Sequence, residues 1–260
     1  MLLGDLHAQN KQVQQIHSNP HMNIPRLLAL LLLPLATAFA AEKGVVPIVA
    51  AAWPQLDSPD AAIRRAARTA IEAQPVSAWQ ELALGERRPW AALEAMLALA
   101  RCGKPEVKPH LCEGITTLTI EQMSEEQQLA AMRLTGLVFT RLGAPTEDER
   151  AQMGDLWMRF FPAKTERLNR ELVTLCASLD APGTVEKTMS LLRAAKTREL
   201  QIHYATALSK PARPLTGWTP ALRREHLEWL RKAASESKGD KGIARVLAEW
   251  EKDQRPKTKD

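Results

Sequence analysis

The stretch SEEQQLAAMRLTGLVFTRLGAPTEDE, residues 124–149, decides the fold. Ser124-Glu125-Glu126-Gln127 is a capping box: a hydroxyl three residues ahead of an amide can accept from the backbone N–H at the third helical position, while that amide caps the hydroxyl residue's own N–H. Thr146-Glu147-Asp148-Glu149 repeats the device. The first box predicts a long helix to Leu142, stopped by Gly143. The second predicts a helix through Leu156 and Trp157 to Phe160. Two helix starts this close together, with a tight break between them, are the pattern that the rest of the chain repeats.

Outward from this stretch the same punctuation recurs. Ser58-Pro59 offers a cap followed by proline at the first helical position, and Ile63, Ala66, Ala67, Ala70 and Ile71 then fall on one face. Pro75 ends that helix, and Ser77 can cap a next one carrying Trp79, Leu82 and Ala83. Pro89 starts another, with Leu93, Met96, Leu97 and Ala100 inward and Gly103 as its stop. Further helices are predicted from Pro105 to Leu118, Thr165 to Leu179, Pro182 to Ala195, Arg198 to Ser209, from the Thr219-Pro220 cap, and from Gly242 to Glu251. Helix–break–helix units recur about every 35 to 45 residues, and none is long enough to bury its own apolar stripe without a stacked neighbour. The expectation is an all-α chain: a right-handed α-solenoid of helical pairs over 41–252.

Composition agrees. The 260 residues are 45% hydrophobic and 25% charged, ordinary globular values, while aromatics make up 5% with a single tyrosine, Tyr204. Alanine and leucine dominate, which favours helix over sheet. The net charge of +5 would be compatible with an anionic partner. The basic residues are nonetheless interspersed with acidic ones, so nucleic-acid binding is not expected. Arg64, Arg65 and Arg68 could form a basic stripe, but pairing within the helix or with water is the simpler reading.

Leu27 to Ala41 reads LLALLLLPLATAFAA. This apolar run is roughly 15 residues, short of the about 20 that a membrane span needs. With Arg26 before it and Ala38-Phe39-Ala40 at its end, it has the layout of a secretory signal peptide over 22–40. Cleavage between Ala40 and Ala41 is expected, followed by an exported, periplasmic or secreted chain with no stable membrane span. Residues 1–21 are polar and precede Met22, where translation is expected to begin. Residues 253–260 form a tail expected to fray.

The stretch Leu56-Asp57-Ser58-Pro59-Asp60-Ala61-Ala62-Ile63-Arg64-Arg65-Ala66-Ala67 resembles a HEAT repeat, with Asp60 and Arg64 spaced to pair on one helix face. Over about residues 150–235, four motifs occur in order: Asn169-Arg170-Glu171-Leu172, Ala181-Pro182-Gly183, Gln201-Ile202-His203-Tyr204-Ala205 and Thr216-Gly217-Trp218-Thr219-Pro220. Together they resemble the HEAT-type segment of large exported haem-binding, cytochrome c-bearing dehydrogenase-like proteins. That segment typically precedes a cytochrome domain, whereas this sequence contains no C-x-x-C-H. The resemblance therefore implies a fold and an exported compartment, and an exported haem protein as one kind of partner. It does not imply a cofactor of the chain's own.

No catalytic, phosphate-binding or metal-ligating motif stands out. Cys102, His110 and Cys112 lack the spacing and the fourth ligand of a zinc site. A disulfide between Cys102 and Cys112 is chemically possible in an oxidising compartment. Cys176 follows Leu172 and Leu175 along an apolar face and reads as core. The residues singled out for interaction or structural roles are Asn169, Arg170, Glu171, His203, Tyr204 and Trp218. His203 and Tyr204 are expected to pack between repeats, with His203 bonded to a loop such as Thr216-Gly217-Trp218, and Trp218 is expected to anchor the stack. An apolar cluster of Leu172, Leu175, Cys176, Val185, Met189, Leu192, Tyr204, Leu208 and Trp218 is predicted. The function expected is that of a protein-interaction or scaffold module, or of an accessory subunit docking to an exported c-type cytochrome or dehydrogenase.

Overall fold

Asp60, not Ser58, caps the first of the quoted helices: its carboxylate accepts from the Ala62 N–H at 2.7 Å, and the helix runs Ala61–Glu72. The Ser58-Pro59 pair lies just ahead of it and serves Arg64 instead, through carbonyl oxygens at 2.8 and 3.0 Å. The computed structural model describes residues 46–209, 214–236 and 241–253. The expected signal peptide, its cleavage between Ala40 and Ala41, the extension 1–21 and the tail lie outside these residues, apart from the helical backbone at 253.

Among the described residues all regular structure is helical, in twelve α-helices. They are α1 (Pro47–Ala52), α2 (Ala61–Glu72), α3 (Gln80–Gly85), α4 (Pro89–Cys102), α5 (Lys108–Thr116), α6 (Glu125–Arg141), α7 (Glu147–Met158), α8 (Glu166–Leu179), α9 (Thr184–Ala194), α10 (Arg198–Ser209), α11 (Pro220–Glu236) and α12 (Lys241–Asp253). None is long and apolar enough to cross a membrane. Both predicted capping boxes form, at Ser124 with Gln127 and at Thr146 with Glu149. Gly143 follows α6 with φ +107°, a left-handed backbone that glycine adopts at little cost.

The chain divides into two compact units, one ending at Gly103 and the other beginning at Lys104. In the first, α2 packs on α4, and the 3₁₀ turn Trp53–Asp57 packs against both. Val49, Trp53, Leu56, Ile71, Trp79 and Leu99 are buried in it. Arg64 is buried as well: its guanidinium lies 3.7 Å from the Trp90 ring centre and 3.5 Å from the Glu94 carboxylate. The anticipated Asp60–Arg64 pairing is thus replaced. Asp60 is spent on the helix cap, and Arg64 turns toward α4. Arg68 joins the same group through Glu94 and Glu72, so no basic stripe forms and only Arg65 of the three is exposed.

In the second unit the helices fall into two rows. α6, α8, α10 and α12 each pack on the next of that row; α5 packs on α7 and α9 on α11 in the other. Contacts between α5 and α6, α7 and α8, α8 and α9, α9 and α10, and α11 and α12 join the rows. Each helix thus buries a stripe that it could not bury alone. Trp157 of α7 is wholly buried and donates its indole N–H to the Thr135 hydroxyl of α6 at 3.2 Å. Gly154 belongs here too: a side chain there would meet the Ala181 Cβ at 3.1 Å. Cys112 and Cys176 are buried free thiols whose pKa values burial raises to about 11 and about 12. The Cys102 sulfur lies 3.9 Å from the Glu72 carbonyl oxygen.

Candidate functional site

Helix α8 carries the Asn169-Arg170-Glu171 motif and lies in the middle of its row. Thr165 caps it, accepting from the Leu168 N–H at 3.3 Å. Its apolar stripe of Leu168, Leu172, Leu175, Cys176 and Leu179 is buried. The remaining face bonds in three directions. Asn169, buried, grips the loop before the helix: its amide oxygen accepts from the Ala163 N–H at 2.7 Å and its amide nitrogen donates to the Ala163 carbonyl at 3.0 Å. Glu171 accepts from the Arg133 Nε of α6 at 2.9 Å, and Arg167 lies 3.0 Å from Glu126 at the start of α6. Arg170 reaches forward to Glu199 of α10 at 2.7 Å. That hydrogen bond, with the charge of Arg170 behind it, holds the Glu199 carboxyl below the usual carboxylate range.

His203 of α10 completes the seam. Its Nε2 lies 3.0 Å from the Arg170 carbonyl oxygen, which also accepts from the Thr174 hydroxyl at 3.0 Å. A carbonyl only accepts, so Nε2 carries the hydrogen of this bond. Tyr204 is buried beside it, with the rings edge to face at 5.7 Å, and burial raises its hydroxyl pKa. His203 therefore bonds to the body of a neighbouring helix and not to the Thr216-Gly217-Trp218 loop that its sequence position suggests. That loop is tied elsewhere: Asp180, left-handed at φ 50° at the end of α8, accepts from both the Thr216 N–H (2.7 Å) and its hydroxyl (3.0 Å).

Of the six residues singled out by sequence, five thus lie along α8 and α10. The sixth, Trp218, does not. Leu172, Leu175, Cys176, Val185, Met189, Leu192, Tyr204 and Leu208 are all buried, as expected, but Trp218 is half-buried. It stacks on His226 of α11 (5.2 Å, 24°) and meets Trp250 of α12 edge-on at 4.9 Å. Leu215 is the buried residue of its loop. Sequence reasoning passed over His226 entirely. The available signal was its spacing: Leu222, His226, Leu230 and Ala233 follow one another at helical intervals, and His226 occupies an apolar position in that stripe.

The paired arginines and glutamates of the α6–α8–α10 seam are largely exposed and neutralise one another. They form a mixed-charge face along these helices. Comparison with protein-family models, curated proteins and solved structures returned no match.

Proposed function

We propose that the chain is an exported helical-repeat protein, a right-handed α-solenoid of HEAT-like pairs, that serves as a protein-interaction or scaffold module without catalysis of its own. The observation that supports this reading is the outer face of α8, tied to α6 by Arg133–Glu171 and to α10 by Arg170–Glu199 and the His203–Arg170 bond. Interlocked helices of this kind present several side chains at fixed spacing, which suits recognition of an extended protein surface. An exported haem protein is the partner class that the 150–235 resemblance favours.

The test is a photo-crosslinking residue at Thr174, exposed on α8, in the full chain expressed with its native export signal. The expected result is one defined crosslinked protein in the periplasmic fraction, lost when Arg133, Arg167 and Arg170 are all reversed to glutamate. A product pattern unchanged by the charge reversal, or no product, would discard this face as the interaction surface.

A further inference from the structure

His226 has no exposed surface, yet a histidine is the one side chain whose ordinary titration falls in the mildly acidic range. Its ring is held between two tryptophans on separate segments. Trp218 of the preceding loop lies at 5.2 Å, nearly parallel, and Trp250 of α12 lies at 4.7 Å. Its Nε2 lies 3.3 Å from the Ser209 hydroxyl at the end of α10, and its Nδ1 is buried without a hydrogen-bond partner. A neutral ring tolerates this setting. An imidazolium would need a second acceptor and a compensating charge, and burial denies it both.

The charged groups on the surrounding elements are already engaged. Glu225, the adjacent carboxylate, is bonded to Arg193 of α9 at 2.6 Å. Arg198 of α10 lies over Trp229 and donates to the Ala233 carbonyl. On α12, Glu251 takes Arg231 of α11 at 2.9 Å, and Arg245 faces Glu249 of its own helix. Only Glu225 favours the charged ring, and it does not outweigh burial, which lowers the His226 pKa from 6.5 to about 4.

We propose that His226 is an acid-sensitive latch: protonation of its ring releases Trp218 and Trp250 together, so that α12 and the 214–219 loop open from α10 and α11 while the rest of the second unit stays folded. The sign follows from linkage. The open form takes up its proton near the ordinary histidine value and the closed form only near 4. Opening is therefore rare above about pH 6.5, and the opening constant rises as pH falls, by on the order of 100-fold at pH 4 for a separation of about 2.5 pKa units. The Arg231–Glu251 ion pair between α11 and α12 lies on the surface and offers little resistance.

Hydrogen exchange of the full chain, with rates corrected for intrinsic chemistry, tests this between about pH 7 and pH 4. Protection across α12 and the 214–219 loop should fall at least tenfold as pH drops, while α8 keeps its protection. His226→Phe, which retains a stacking ring, should abolish that pH dependence. Equal loss in α8, or the same pH dependence in H226F, would overturn the latch. NMR titration of the His226 ring in the unaltered protein gives a check that needs no variant. A ring that stays neutral well below pH 6 supports the latch, and a ring that titrates near 6.5 with the helix still protected refutes it.

Discussion

The two units use the same pair of residues, arginine and glutamate, in opposite ways. In the first, Arg64 and Glu94 are sunk between α2 and α4, with side-chain exposures of 7% and 12%. In the second, Arg133 and Glu171 sit at 61% and 31%, bridging α6 and α8 from outside. A buried pair is costly to assemble and more costly to break, because removal of one partner strands a desolvated charge. An exposed pair is screened by water and holds almost nothing by itself. The Arg64–Glu94 pair thus pins α2 to α4 from within, whereas the α6–α8 seam carries its arginines and glutamates on the surface.

Truncation of Glu94 is the most direct way to break this comparison. Glu94→Ala leaves both Arg64 and Arg68 short of their shared carboxylate and is expected to cost about 3–5 kcal/mol of the first unit's stability, measured by urea denaturation. A loss below about 1 kcal/mol would mean that the Trp90 face and the Ser58 and Pro59 carbonyls suffice for Arg64. His203→Ala comes next, at about 1–3 kcal/mol, because it removes a bond to the Arg170 carbonyl along with packing against Tyr204.

Glu86 sharpens the contrast by pH. Burial pushes its carboxyl up, but hydrogen bonds from the Arg88 side chain, the Arg88 and Arg87 N–H groups and the Trp53 indole outweigh this and bring it to about 2. A carboxylate with a depressed folded-state value stabilises fully above its unfolded value of 4.5 and loses that contribution as pH falls toward 2. After allowance for solvent screening the effect is about 1–2 kcal/mol. Glu86→Gln should flatten the first unit's stability over that window. The smallest effect is expected for Glu171→Ala on the exposed seam, under about 1 kcal/mol and shrinking further with added salt.

How far the fold was legible follows from the range of the interactions that make it. The capping boxes at Ser124 and Thr146 act over three residues, so sequence spacing alone exposes them. The cap stands at Asp60 although Ser58-Pro59 satisfies the same local preference, and the carbonyl oxygens of that pair go to the Arg64 guanidinium, a side-chain bond that cap spacing does not reveal. Glu94 lies far along the chain from Arg64, and no local periodicity connects them. Trp218 was placed in the wrong group for a related reason. Its partners, His226 and Trp250, lie on helices whose approach depends on the packing of the whole C-terminal end. The α8 residues were identified by resemblance, and their bonding roles became visible only with both neighbouring helices in place.

The Asn169 clasp bears on how this protein tolerates change. The loop between α7 and α8 is held through the backbone N–H and carbonyl of Ala163, groups that every residue except proline supplies. Drift at position 163 itself should therefore be nearly silent, while the gripping residue has no equivalent. An aspartate at 169 would keep the acceptor and set a second oxygen against the Ala163 carbonyl where a donor stood. At this point of the bend, selection is thus expected to fall on the Asn169 amide rather than on the residue whose backbone it grips.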